Sequence, residues 1–119
     1  MRARVVIAGG GVAAAGAVMG LRAAGHEGPV TVLAGEPEPP YERPPLSKGY
    51  LAGAVPRSRL TIRGRPEYEA MGVDLRLGVR VSEIDLARRR VALEPPGELG
   101  FEALLIATGA SARRLPGLE

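Results

Sequence analysis

The sequence predicts an α/β fold: a parallel sheet built on a strand–helix–strand unit, with an antiparallel hairpin or meander inserted before the last strand. Three observations carry this. Arg4-Val5-Val6-Ile7-Ala8 is a β-branched run that ends in three glycines. A stretch of small residues and a second β-branched run, Val30-Thr31-Val32-Leu33, complete a unit of about 30 residues, the size of a parallel crossover. Two alternating segments, at 81–85 and 90–94, flank a turn.

The first run reads as a buried parallel strand. Val12 to Ala24 reads as a helix, stopped by Gly25. Gly16 and Gly20 fall one turn apart on one face of that helix, and each costs about 1 kcal/mol against alanine. The expected compensation is close packing on the sheet. The second strand follows, through a crossover expected to be right-handed. Glu36 to Pro45 holds five prolines in ten residues and is irregular. Leu46 to Leu51 is predicted as a short helix, with Pro45 suited to its first turn. Pro66 to Met71 is predicted as a helix ended by Gly72, and Val73 to Leu77 as a strand. Val81 to Asp85 and Arg90 to Glu94 form the hairpin, with the Arg88-Arg89-Arg90 run at its turn. Phe101 to Ala107 is the final strand, leading into Thr108-Gly109.

Composition narrows the function. With 119 residues, 45% hydrophobic and 24% charged, the chain has the size and balance of one globular domain. It has no cysteine, which excludes a disulfide scaffold, a thiolate zinc site, an iron–sulfur cluster and a redox cysteine pair within these residues. One histidine, His26, leaves little for a His-based metal site or a catalytic triad, and no metal site is expected. Aromatics are 3% with no Trp, which argues against base stacking on an aromatic platform. The net charge of +3 comes from cations that are all arginine except Lys48, a bias that fits a GC-rich coding sequence, and no nucleic-acid partner is expected. The basic start at Met1 to Arg4 and the uncharged stretch Val5 to Leu21 superficially match a secretion signal, but Gly9-Gly10-Gly11 interrupts the run. The run is too short and too rich in Ala and Gly to span a bilayer. A cytoplasmic protein with no membrane partner is expected.

The strongest chemical signal is Gly9-x-Gly11-x-x-Ala14, after a strand and opening a helix. Gly9 allows the tight turn. Gly11, without a Cβ, lets a pyrophosphate approach the backbone. Ala14 keeps helix and strand close. The helix start, with Val12 and Ala13, supplies free N–H groups and about half a positive charge. No lysine lies in the turn, so it is not a Walker A loop. Glu36 follows the second strand, 25 residues after Gly11, where an acid accepts hydrogen bonds from ribose hydroxyls. This unit alone does not separate FAD from NAD.

Pro40-Tyr41-Glu42-Arg43-Pro44-Pro45-Leu46-Ser47-Lys48 separates them. With it, the chain resembles FAD-dependent pyridine-nucleotide oxidoreductases of the ferredoxin-reductase type, a group that includes putidaredoxin, rhodocoxin and dioxygenase-ferredoxin reductases. The resemblance runs from Val6-Ile7-Ala8-Gly9-Gly10-Gly11 through Leu33-Ala34-Gly35-Glu36-Pro37 to Leu104-Leu105-Ile106-Ala107-Thr108-Gly109-Ala110 and Leu115-Pro116-Gly117-Leu118-Glu119. It implies a partial Rossmann-like FAD/NAD(P)-binding domain. It also implies electron transfer from NAD(P)H through FAD to a ferredoxin-type iron–sulfur protein. By position, Gly9 to Ala14 would hold the FAD pyrophosphate and Glu36 the adenosine ribose. Arg43 and Pro44 would lie along the dinucleotide, and Val81 would meet adenine through its backbone. Ala107, Thr108 and Gly109 would close over the cofactor. Lys48 would reach the isoalloxazine ring and is the candidate catalytic residue. The chain departs from the commonest pattern at Ala14, where many members have Gly.

The absence of cysteine after the second strand implies that electrons leave the flavin directly for an outside acceptor. The resemblance also implies a longer parent. Residues 1–119 would be the N-terminal part of a FAD-binding domain, without the NAD(P)H-binding and C-terminal interface domains. Such a piece is expected to be inactive alone and to self-associate through an uncovered sheet edge. Two other readings fit the same motifs. One is a flavoprotein with another acceptor, of the apoptosis-inducing-factor or nitrite-reductase kind. The other is a non-enzymatic module that senses NAD.

Overall fold

The structure, a computed structural model, describes residues 3–110 and 115–117. Met1-Arg2 of the basic start and Leu118-Glu119 of the family resemblance lie outside the described residues. Strands β1 (Val5–Ala8), β2 (Val30–Ala34), β3 (Val73–Leu77) and β7 (Ala103–Ile106) form a parallel sheet in the order β3-β2-β1-β7. Strands β4 (Arg80–Asp85), β5 (Arg90–Glu94) and β6 (Gly97–Gly100) form a separate antiparallel meander. Helices α1 (Val12–Ala23) and α2 (Arg65–Ala70) complete the regular structure, with two short 3₁₀ turns at Pro44–Ser47 and Arg57–Arg59.

The register divides the parallel sheet into two apolar faces. Ile7 is in register with Val32 and Leu105, and Val32 with Leu75. On this face Val5, Ile7, Val30, Val32, Val73 and Leu75 pack with Ala14 and Val18 of α1 and Tyr68 of α2. The other face carries Val6 and Leu33 onto Val91 and Phe101, so the meander caps the sheet where α1 does not. Both faces of β1 and β2 are therefore covered, which is why these strands read as continuous apolar runs. β7 lies at the edge, with Leu105 41% and Ile106 62% exposed.

Arg22 ties the far ends together. Its guanidinium donates to the carbonyls of Met71, His26, Gly28 and Gly72 at 3.0, 2.6, 3.0 and 3.3 Å. One side chain thus satisfies the backbone after α2 and in the α1–β2 loop.

Three sequence expectations are corrected. Gly16 and Gly20 do not pack on the sheet: both are exposed, and a Cβ at either would meet nothing within 4 Å. Ala14, Ala15 and Val18 form the buried face instead. The helix expected over Leu46 to Leu51 is a 3₁₀ turn over Pro44–Ser47. Its bonds run three residues back, Leu46 N–H to the Arg43 carbonyl and Lys48 N–H to the Pro45 carbonyl, and Lys48 leaves helical backbone at φ −125° and ψ −108° before a longer helix forms. The final strand is shorter than the expected Phe101 to Ala107. The chain leaves the meander at Gly100, and Phe101 N–H donates to the Arg89 carbonyl before β7 begins.

Candidate functional site

In a parallel sheet, successive connections that leave in opposite directions open a crevice at the carboxyl ends of the strands. Here β1 has β2 on one side and β7 on the other. The crevice at their ends is a cleft of about 770 Å³, within the range of small-molecule sites.

The three glycines that end β1 have three different reasons to be glycine. Gly9 has φ +141°, and a Cβ there would stand 1.9 Å from the Ala107 carbonyl oxygen. Its N–H donates to the Leu33 carbonyl at 2.9 Å, and Ala107 N–H donates to the Ala8 carbonyl at 2.7 Å. Gly9 thus lets β7 approach β1 at the base of the cleft. A Cβ at Gly10 would stand 2.5 Å from the Ala34 Cβ. A Cβ at Gly11 would meet nothing within 4 Å, because Gly11 faces the open cleft.

Gly11 is also the N-cap of α1, and no side chain caps that helix end. No acidic residue lies in the first turn. The first N–H groups of a helix have no intrahelical acceptor. The end of α1 therefore presents unpaired donors and a partial positive charge to the cleft beside backbone without a Cβ.

A second cluster lines the same cleft. Arg43 donates to the Glu36 carboxylate at 3.0 Å and to the Tyr41 hydroxyl at 3.1 Å. Its guanidinium lies 5.0 Å from the centre of the Tyr41 ring. Hydrogen bonds from Tyr41 and then Arg43 hold the Glu36 carboxyl below the usual glutamate range, and the Glu36 carboxylate holds the Tyr41 hydroxyl above the usual phenol range. Glu36 thus presents an acceptor carboxylate to the same cleft that the glycine turn lines.

The cleft brings together most of the residues singled out in the sequence. Gly9, Gly11, Val12, Ala13, Glu36, Arg43, Pro44, Val81, Ala107, Thr108 and Gly109 all line it. Ala14 does not; it is fully buried beneath, between helix and sheet. Lys48 is exposed on the loop after the 3₁₀ turn and is not part of the lining. The sequence reading did not single out Gly10, Tyr41 or Arg80. Tyr41 lies inside the proline motif. Gly10 and Arg80 had no local signal, since their roles arise from contacts with Ala34 and Gly35.

These features fit an adenine dinucleotide. Anion donors, a Cβ-free approach and an acceptor carboxylate line one cleft. No helix among the described residues is long and apolar enough to cross a membrane.

Comparison with known proteins agrees. A profile described as pyridine nucleotide-disulphide oxidoreductase matches residues 3–119. The chain is 37% identical to the rubredoxin-NAD(+) reductase of Pseudomonas putida, over 93% of this chain and 29% of that protein. It is 41% identical to the biphenyl dioxygenase system ferredoxin–NAD(+) reductase component of Paraburkholderia xenovorans, over 93% of this chain and 27% of the other. It superposes on a chain of the covalent putidaredoxin reductase–putidaredoxin complex with a TM-score of 0.92 at 37% identity, covering 96% of this chain and 27% of that one. The chain therefore spans a little over a quarter of the length of the curated relatives it matches.

Proposed function

The chain belongs to the pyridine nucleotide-disulphide oxidoreductase family, and from this premise we propose that it is the FAD-binding portion of a reductase that passes electrons from NAD(P)H to a ferredoxin-type iron–sulfur protein. The family uses FAD and NAD(P)H. The observation that carries the reading is the uncapped start of α1 at Gly11, opening on the same cleft as Glu36 and Arg43. The names of the similar reductases, which pair with rubredoxin or ferredoxin, support the acceptor class.

In this reading the backbone N–H groups at Gly11 to Ala13 bind the pyrophosphate, and Glu36 accepts from the adenosine ribose. Arg43 is held beside Glu36 by Tyr41 and offers its remaining N–H donors to the diphosphate. Val81 meets adenine, while Thr108 and Gly109 close one wall. When bound, FAD supplies two-electron acceptance from NAD(P)H and one-electron release to an iron–sulfur partner. Lys48 is the residue proposed to face the flavin ring, where a cation favours its electron-rich reduced form. Replacement by glutamine is expected to lower the flavin potential while leaving FAD affinity in place. An unchanged potential would remove Lys48 from the reading.

Residues 1–119 are proposed as the N-terminal part of the FAD domain, with NAD(P)H bound by a domain outside them. The exposed β7 edge is proposed to pair with a second copy when these residues stand alone. Titration with FAD tests the core of the proposal: saturable quenching of flavin fluorescence supports it, and binding of NAD without flavin would favour a nucleotide-sensing module.

A further inference from the structure

The start of β4 brings an arginine into the cleft. Gly78 N–H donates to the Glu36 carbonyl at 2.9 Å, and Val79 N–H donates to the Ala34 carbonyl at 2.9 Å. These bonds pin the β3–β4 turn across the end of β2 and set Arg80 against Gly35. A Cβ at Gly35 would stand 3.7 Å from Nε of Arg80 and 3.8 Å from Nη2. The guanidinium lies over bare backbone, lines the cleft, and is exposed. Among the described residues no carboxylate pairs with it, whereas Arg43 is held by Glu36.

A free guanidinium is planar and weakly hydrated, and it stacks well on aromatic faces. Tyr41 is the one aromatic residue in the lining, and the Arg43 guanidinium lies over its ring. Of the two arginines in the lining, Arg80 is the one whose guanidinium no carboxylate holds among the described residues. It precedes Val81 in β4 and lies against Gly35, the chain neighbour of Glu36, which is the ribose acceptor of the reading above. A base attached to that ribose would lie within its reach.

We propose that Arg80 stacks its guanidinium on the adenine of the bound dinucleotide, an inference that rests on the FAD-binding reading. Wild-type protein, Arg80→Ala and Arg80→Lys are each titrated with FAD and with ADP, at low and at high salt. Matching far-UV circular dichroism establishes that the variants fold, as expected for an exposed residue at a strand start.

Stacking predicts that both variants bind FAD and ADP about two- to thirtyfold more weakly, the range for a cation–π contact. The deficit persists at high salt. Arg80→Lys binding as tightly as wild type would overturn the proposal, because charge alone would then suffice. Arg80→Ala binding as tightly as wild type would also overturn it. Either result leaves the FAD-binding reading intact, whereas wild type failing to bind FAD and ADP overturns both.

Discussion

The guanidinium of Arg43 donates to the Glu36 carboxylate at 3.0 Å, and both side chains lean on the Tyr41 hydroxyl. Both members of the pair are about half exposed, so the pair itself contributes only about 0–1 kcal/mol to folding. Its consequence is protonic. The folded carboxyl binds its proton less readily than the unfolded one. The stabilising contribution is therefore present above the usual glutamate value and is lost as pH falls through the lowered folded value. An NMR titration of Glu36 is expected to show a midpoint below the usual glutamate value. Tyr41→Phe and Arg43→Ala should each move it upward, and an unmoved midpoint in both would contradict the cluster.

Gly9 and Gly11 separate folding from binding. At Gly9 an added methyl collides with the Ala107 carbonyl in a backbone conformation that disfavours side chains. Gly9→Ala is expected to destabilise the chain by about 3 kcal/mol or more. At Gly11 the methyl meets nothing in the chain, so Gly11→Ala should cost about 1 kcal/mol or less, as at other helix N-caps. Thermal unfolding of the two variants checks the contrast.

Arg22 is expected to matter for stability beyond its position at the end of a helix. Removing it strips charge-assisted partners from four carbonyls in two segments. Arg22→Ala should lower stability by about 2–4 kcal/mol. Arg22→Lys should recover little, since one ammonium does not span the same fork. Urea unfolding gives the comparison.

Residues 1–119 alone are expected to show no NADH-dependent dye reduction above the free-flavin background, because they contain a single glycine-rich strand–helix turn. Clear turnover would contradict the proposed division of FAD and NAD(P)H sites.

Much of this was legible in the sequence because its signals are local. β1, α1, β2 and β3 lie within a residue or so of their expected bounds, since β-branched runs and glycine stops at Gly25 and Gly72 mark them. β6 carried no such signal: it opens and closes on glycines and follows two prolines. The buried face of α1 is not legible in the sequence because Ala and Gly surround the helix and leave no clear apolar stripe. Gly10 and Arg80 were invisible for another reason. What fixes each is a neighbour distant in sequence, Ala34 for one and Gly35 for the other.

The central claim is that Gly11 and the open start of α1 form the pyrophosphate cradle of a flavin dinucleotide. Its most direct test is an FAD titration, followed by flavin fluorescence, of wild type and Gly11→Ala side by side. The account predicts saturable quenching by wild type and affinity about tenfold or more weaker in the folded variant, the size of a lost charge-assisted contact. Wild type that leaves FAD fluorescence untouched, or a variant that binds as tightly as wild type, would contradict it.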